Sequence, residues 1–148
     1  MNAAPVETVD VTARKVHQGA CVVCLAVAFV AGSSVGAWLV AAIGLVLALG
    51  RYWWPADIFR QLTWRVLEPA GLLPRRDLQE DHSTRRVARV LGGAILLIAA
   101  LLLGFGLGLA WVLVAAIGVM IALDAAFNVC LLCVVTYQVG KRRMLRAG

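Results

Sequence analysis

The sequence predicts an all-α, polytopic membrane protein: four transmembrane helices arranged as two repeated hairpins, plus a cytosolic amphipathic helix at the interface between them. Three observations carry this. The chain of 148 residues is 62% hydrophobic and only 15% charged. A soluble domain has about 45–50% apolar and about 25% charged residues, and a body this small cannot hide the excess in a core. The apolar residues fall into four long runs, and no Lys or Arg lies in either of the short turns between paired runs. The formal net charge of +6 would suggest nucleic acid in a soluble protein. Here no nucleic-acid-reading module is present, and the basic groups flank apolar runs, so they read as orientation signals and contacts with anionic headgroups of the lipid bilayer.

Taken in order, a cytosolic tail covers residues 1–16 and hairpin one covers 17–54. Its first run spans about 17–34 and its second about 36–54, separated by Gly32-Ser33-Ser34. Hairpin two covers 88–139: a run over about 88–106, a turn marked by Gly104, Gly106 and Gly108, and a last run from Leu109 to Val139. A spanning helix needs roughly 17–25 apolar residues, and lipid offers no partners to a backbone that is not helical. Arg14 and Lys15 ahead of the first run give it some likeness to a secretory signal. A repeat argues otherwise. Leu39–Leu49 reads LVAAIGLVLAL and Leu113–Leu123 reads LVAAIGVMIAL; Lys15-Val16 and Gly19-Ala20 recur at the same offset as Arg89-Val90 and Gly93-Ala94. Two-helix units of equal orientation form a parallel repeat about the membrane normal.

The 14 Lys+Arg residues lie before run one, between runs two and three, and after run four. The positive-inside rule then places both termini, the segment 55–87 and the basic tail 140–148 in the cytosol. Residues 55–68 read as an interfacial helix opened by Pro55. Ile58, Phe59, Leu62 and Val66 share its apolar face; Asp57, Arg60, Gln61, Arg65 and Glu68 take the polar one. Tyr52, Trp53 and Trp54 mark the headgroup level. The stretch from Arg75 to His82 reads as a polar loop, and His17 and His82 as solvated histidines.

All four cysteines fall in C-x-x-C pairs, Cys21/Cys24 and Cys130/Cys133. Spacing i, i+3 puts both thiols of a pair on one helix face, as dithiol exchange requires. Cys21 and Cys24 lie in the first turns of helix one. Cys130 comes about 21 residues after Leu109, about 31 Å at the helical rise, so both pairs are expected at the cytosolic boundary. A helix N-terminus with Arg14, Lys15 and His17 nearby favours thiolate, which makes Cys21 the expected nucleophile. Packing as small apolar residues and a tetrathiolate metal site are the competing readings. Of eight Asp+Glu residues only Asp124 lies within a run, with Asn128 one turn later and no basic partner in the membrane. Interhelical bonding and proton relay are its two readings.

The segment from Asp124 to Cys133, followed by Tyr137 and a basic tail, resembles the end of a bacterial membrane family known as domain of unknown function 4395. Val9-Asp10, Gln18-Gly19, Ile58-Phe59-Arg60, Leu67-Glu68-Pro69 and Glu80-Asp81 extend the resemblance over nearly the whole chain. It implies a compact four-helix protein of the bacterial cytoplasmic membrane, working in the company of thioredoxin-like or rhodanese-like proteins. Thiol redox or sulfur relay through Cys130 and Cys133 follows from that company, with Cys21 and Cys24 as a second dithiol. The chain departs from the family pattern at Asp124, Asn128, Leu132 and Val134. A non-catalytic membrane scaffold is one alternative; a small transporter using Asp124 is another, and would have to be a homo-oligomer. Nothing in the sequence names a cofactor, and hydrolase, kinase and nucleotide-binding signatures are missing.

Overall fold

A computed structural model describes residues 7–50, 52–53, 57–80, 82–128 and 131–147. It is built of helices: α1 (Val11–Ala31), α2 (Ser33–Leu49), a short α3 (Ile58–Leu62) continued by a π turn (Thr63–Leu67), α4 (His82–Gly104), α5 (Ala110–Phe127) and α6 (Leu131–Ala147). The described residues also hold a small antiparallel ribbon, β1 (Glu7–Asp10) on β2 (Asp77–Glu80), with Glu7 opposite Glu80 and Asp10 opposite Asp77. This ribbon replaces the polar loop expected from Arg75 to His82. Short polar residues with no apolar run gave no sign that the two segments pair.

Among the described residues, three helices are long and apolar enough to cross a membrane, Val11–Ala31, Arg85–Gly104 and Ala110–Phe127; Ser33–Leu49 is apolar but shorter. Their outward faces are apolar as well. Val30, Trp38, Leu101, Val112 and Val119 are exposed side by side with a buried core of Leu25, Val40, Ile43, Leu96, Leu103, Val114 and Ile117. In water so much bare apolar surface would drive association; these helices suggest a membrane protein.

Gly32 alone makes the first tight turn, at φ 86°, a conformation glycine adopts without a Cβ penalty. The helices close into a ring, in which α1 packs on α2, α2 on α4, α4 on α5 and α5 back on α1. The α2–α4 contact is the most extensive, and it is a crossing of bare backbones. A Cβ on Gly93 would sit 2.8 Å from the Gly44 carbonyl oxygen and 2.9 Å from the Ala48 nitrogen. This order puts the starts of α1 and α4 at the same end of the bundle as the end of α5.

Helix one begins earlier than expected. Asp10 accepts from the backbone N–H of Thr12 at 3.0 Å and of Ala13 at 3.2 Å, so the helix starts at Val11 and takes in Arg14, Lys15 and His17. Satisfying two orphan donors offsets the polarity of that first turn. The last apolar run is not one helix. It breaks at Asn128, which adopts the left-handed conformation (φ 56°, ψ 25°) while its N–H donates to the Asp124 carbonyl at 2.9 Å. Asparagine tolerates that conformation where a branched residue does not. Asn128→Gly is therefore expected to keep the break. Asn128→Val should cost about 1–2 kcal/mol, read as a lower midpoint of thermal unfolding in detergent.

The interfacial helix also differs. Among the described residues Asp57 caps the helix: its Oδ1 accepts from the Arg60 N–H at 3.3 Å. Trp54 and Pro55 lie outside the described residues. Ile58, Leu62 and Val66 remain an exposed apolar row, while Phe59 turns inward against the core.

Candidate functional site

Where the bundle's charged end meets α3, side chains from α1, α4 and the start of α3 converge. His17 projects from the second turn of α1 and is 6% exposed; Asp57 caps α3 and is 2% exposed. His17 Nδ1 lies 2.8 Å from Asp57 Oδ1. Arg89 reaches across from α4, with Nη2 2.6 Å from Asp57 Oδ2 and 3.2 Å from His17 Nε2. Gly50 leaves the passage open, because a Cβ there would stand 2.8 Å from that same nitrogen. One turn beyond His17, Cys21 is fully buried (0% exposed), its Sγ 3.6 Å from His17 Nε2. Phe59 closes the site from α3, edge to face with the imidazole at 5.5 Å. The result is a cysteine, a histidine and an aspartate in sequence, with a guanidinium bound to the last two.

Burial alone would raise the Asp57 carboxyl. The hydrogen bond and charge of His17, then those of Arg89, outweigh burial and hold it far below the usual carboxylate range. Both His17 and Asp57 correct the sequence reading, which had them solvated. The helical wheel drawn for residues 55–68 assumed a continuous α-helix, whereas Asp57 sits just outside a five-residue one.

A second cluster lies beside the first, between α1, α4 and α5. Gln18 donates from Nε2 to Asp124 Oδ2, and Arg85 Nη1 stands 3.5 Å from Asp124 Oδ1. Arg14 Nη2 donates to Asn128 Oδ1 at 3.4 Å, and Arg85 Nη2 to the Asn128 carbonyl at 3.3 Å. Asp124 thus has a basic partner, which the sequence reading lacked because it assigned Arg85 to the flank and not to α4. The cluster pins the α5–α6 break to the starts of α1 and α4.

A third group ties the π turn to the start of α1. Trp64 Nε1 donates to Asp10 Oδ2 at 3.1 Å. Burial opposes ionisation of Asp10, yet the hydrogen bonds from Glu68, Trp64 and two backbone N–H groups lower its pKa. Sharing a hydrogen bond with Asp10 raises that of Glu68 in turn.

Two of the four cysteines have described side chains. Cys21 is buried and Cys24 half-buried, both as free thiols. Because α1 starts at Val11, Cys21 lies in its third turn, beyond the reach of the helix dipole; the neighbouring group that touches it is His17. Cys130 and the side chain of Cys133 lie outside the described residues, and with them the expected placement of both pairs at one boundary and the tetrathiolate reading. Cys133 belongs to α6, beyond the break, so the depth counted along one unbroken helix does not apply to it. The His82 side chain also lies outside the described residues. His17, Asp57 and Arg89 as a group escaped the sequence reading. Its one available trace was the spacing Ala13, His17, Cys21, Leu25, Ala28, the buried stripe of α1.

A ring of apolar helices with a buried polar network at one end is the class of protein this fold defines. The chain belongs to the family described as Domain of unknown function (DUF4395), whose model matches residues 9–141. That stretch contains both C-x-x-C pairs and every residue of the three clusters. No curated protein and no solved structure matches the chain.

Proposed function

We propose that this is a four-span protein of the bacterial cytoplasmic membrane with both termini cytosolic, carrying out thiol–disulfide exchange or sulfur relay at its cytosolic end. Its partner would be a soluble thioredoxin-like or rhodanese-like protein. The observation that carries this is the Cys21–His17–Asp57 arrangement: a thiol 3.6 Å from an imidazole nitrogen whose other nitrogen is held 2.8 Å from a buried carboxylate. Such a base activates a neighbouring thiol, with the third group orienting it. The 14 Lys+Arg residues outside the short turns support the orientation.

In the exchange, Cys21 gives its proton to His17 and its thiolate attacks a partner disulfide. One partner sulfur leaves as thiolate and a mixed disulfide forms. Cys24, three residues on, then attacks the Cys21 sulfur and releases the second partner thiol. The partner gains two electrons and the Cys21/Cys24 pair loses two. Cys130 and Cys133 would exchange with this pair as a second dithiol.

Burial of Cys21 favours a second reading, a membrane scaffold in which the network only locks α3 onto α1 and α4. Alkylation in native membranes separates the two. With Cys130 and Cys133 changed to Ser, Cys21 is expected to react, His17→Ala to slow it about tenfold or more, and Cys24→Ser to trap a mixed disulfide with the partner. Thiols that stay inert at every redox poise would leave the scaffold. A separate arm retaining only Cys130 and Cys133 tests the second pair.

A further inference from the structure

The apolar residues after Asn128 are not needed to cross a bilayer. Helix α5 (Ala110–Phe127) is long and apolar enough by itself, and the left-handed turn at Asn128 makes α6 a separate element. Arg14 and Arg85 hold that turn beside the starts of α1 and α4. So α6 leaves the bundle at its charged end, where it packs chiefly on α4. Large apolar side chains are left bare along its 17 residues: Tyr137 is 71% exposed, Met144 81% and Leu145 73%. Water is a poor solvent for such a surface.

The side chains of α6 are sorted by face. At 100° per residue, Val134, Tyr137, Lys141, Met144 and Leu145 fall within about 100° of arc. Arg142, Arg143 and Arg146 take the opposite side, and α6 has no acidic residue. An apolar stripe backed by arginines is the pattern of a helix lying in the plane of a membrane surface. The one charge within the stripe, Lys141, has a stem long enough to carry its ammonium out to the headgroups.

We infer that α6 is a surface anchor, lying on the cytosolic leaflet and binding its anionic phospholipid headgroups. Four cations and no acid call for an anionic surface, and guanidinium N–H groups suit phosphate oxygens. Proximity decides between lipid and a soluble acidic partner. The first residue of α6 comes three positions after the turn that ends α5, so the leaflet is present at a local concentration that no diffusing partner reaches. The apolar stripe then sinks below the phosphates while the arginines stay among them.

The inference rests on the membrane reading and is independent of the thiol chemistry. Its test places a photoreactive benzoylphenylalanine in the full-length protein at Met144, at Arg143 on the opposite face of α6, or at Val112 on the outward surface of α5. In nanodiscs of equal parts phosphatidylglycerol and phosphatidylcholine, Met144 is expected to yield phospholipid adducts about fivefold or more above Arg143. Phosphatidylcholine alone should lower the Met144 yield about fivefold or more, since each basic group near an anionic surface contributes about that factor in affinity. So should Arg142→Gln, Arg143→Gln and Arg146→Gln together in the mixed nanodiscs. The Val112 yield should not change in either case. Equal yields at Met144 and Arg143, or a Met144 yield indifferent to lipid charge, overturn the inference. Adducts between two copies of the chain at Met144 also overturn it, by making the stripe a contact between protomers. Loss of lipid adducts at Val112 would sink the membrane reading as well, whereas loss at Met144 alone leaves that reading standing.

Discussion

Gly93→Val is expected to destabilise the folded state strongly, whereas Gly92→Val, one residue earlier, is expected to be tolerated. A Cβ at Gly93 meets the Gly44 carbonyl oxygen at 2.8 Å and the Ala48 nitrogen at 2.9 Å, while one at Gly92 meets nothing within 4 Å. The obstructing atoms are backbone and cannot rotate aside. The α2–α4 contact, the largest in the ring, would have to separate. Overpacking costs about 1–3 kcal/mol and occasionally more; two backbone clashes from the first side-chain carbon belong at the upper end. In the sequence repeat Gly118 answers to Gly44, yet its Cβ would find only Leu25 Cδ1, at an ordinary 3.6 Å. Gly118→Ala should therefore be mild. The measurement is the monodisperse fraction recovered in detergent together with its thermal midpoint. Equal behaviour of Gly93→Val and Gly92→Val would show that α2 and α4 do not cross there.

The apolar helices and their pairing in hairpins were legible because their signal is compositional; the closure of α5 onto α1 was not. Long apolar runs separated by Gly32 and by the Gly104–Gly108 turn give helices and hairpins without reference to anything distant. Helix boundaries were less so. The chain was read as entering the bilayer where charges cease, so Arg14 and Lys15 went to the tail, although Asp10 caps a helix that includes them. At the other end, apolar residues after Asn128 hid the break, since hydropathy carries no backbone torsions. The asparagine itself was the usable sign, being one of the few residues that end a helix in the left-handed conformation.

The site was legible on one side only. Ala13, His17, Cys21, Leu25 and Ala28 recur at helical spacing, so His17 shares the buried stripe that holds Cys21. A buried histidine implies a partner, but its partners are far along the chain: Arg89 lies 72 positions from His17, and Asp57 lies 32 from Arg89. Periodicity within one helix says nothing about which residue of another segment meets it. Asp57 was further disguised by its polar neighbours, which made it look like one more residue on a solvated face.

Removing the Asp57 charge tests the network most severely. Asp57→Asn strips the counter-charge from Arg89 in a site where Asp57 is almost wholly buried. Breaking a buried pair from one side costs about 3–5 kcal/mol. The lower end is expected here, because the Arg89 side chain is 25% exposed and can turn toward water. The pH dependence has a definite sign. The folded carboxyl of Asp57 ionises far below the unfolded value of about 3.9. Its contribution is complete above that value and drains away as the pH falls through it toward the folded one. Glu68 acts in the opposite sense: its pKa is raised in the folded chain, so whatever it contributes is present in acid and lost as the pH climbs. Unfolding midpoints measured from pH 5 down to pH 2 should fall more steeply for the unaltered chain than for Asp57→Asn, the two curves drawing together in acid. Parallel curves would mean that Asp57 ionises no more readily in the folded protein than in the unfolded one, and the buried His17–Asp57–Arg89 network would then lose its electrostatic basis.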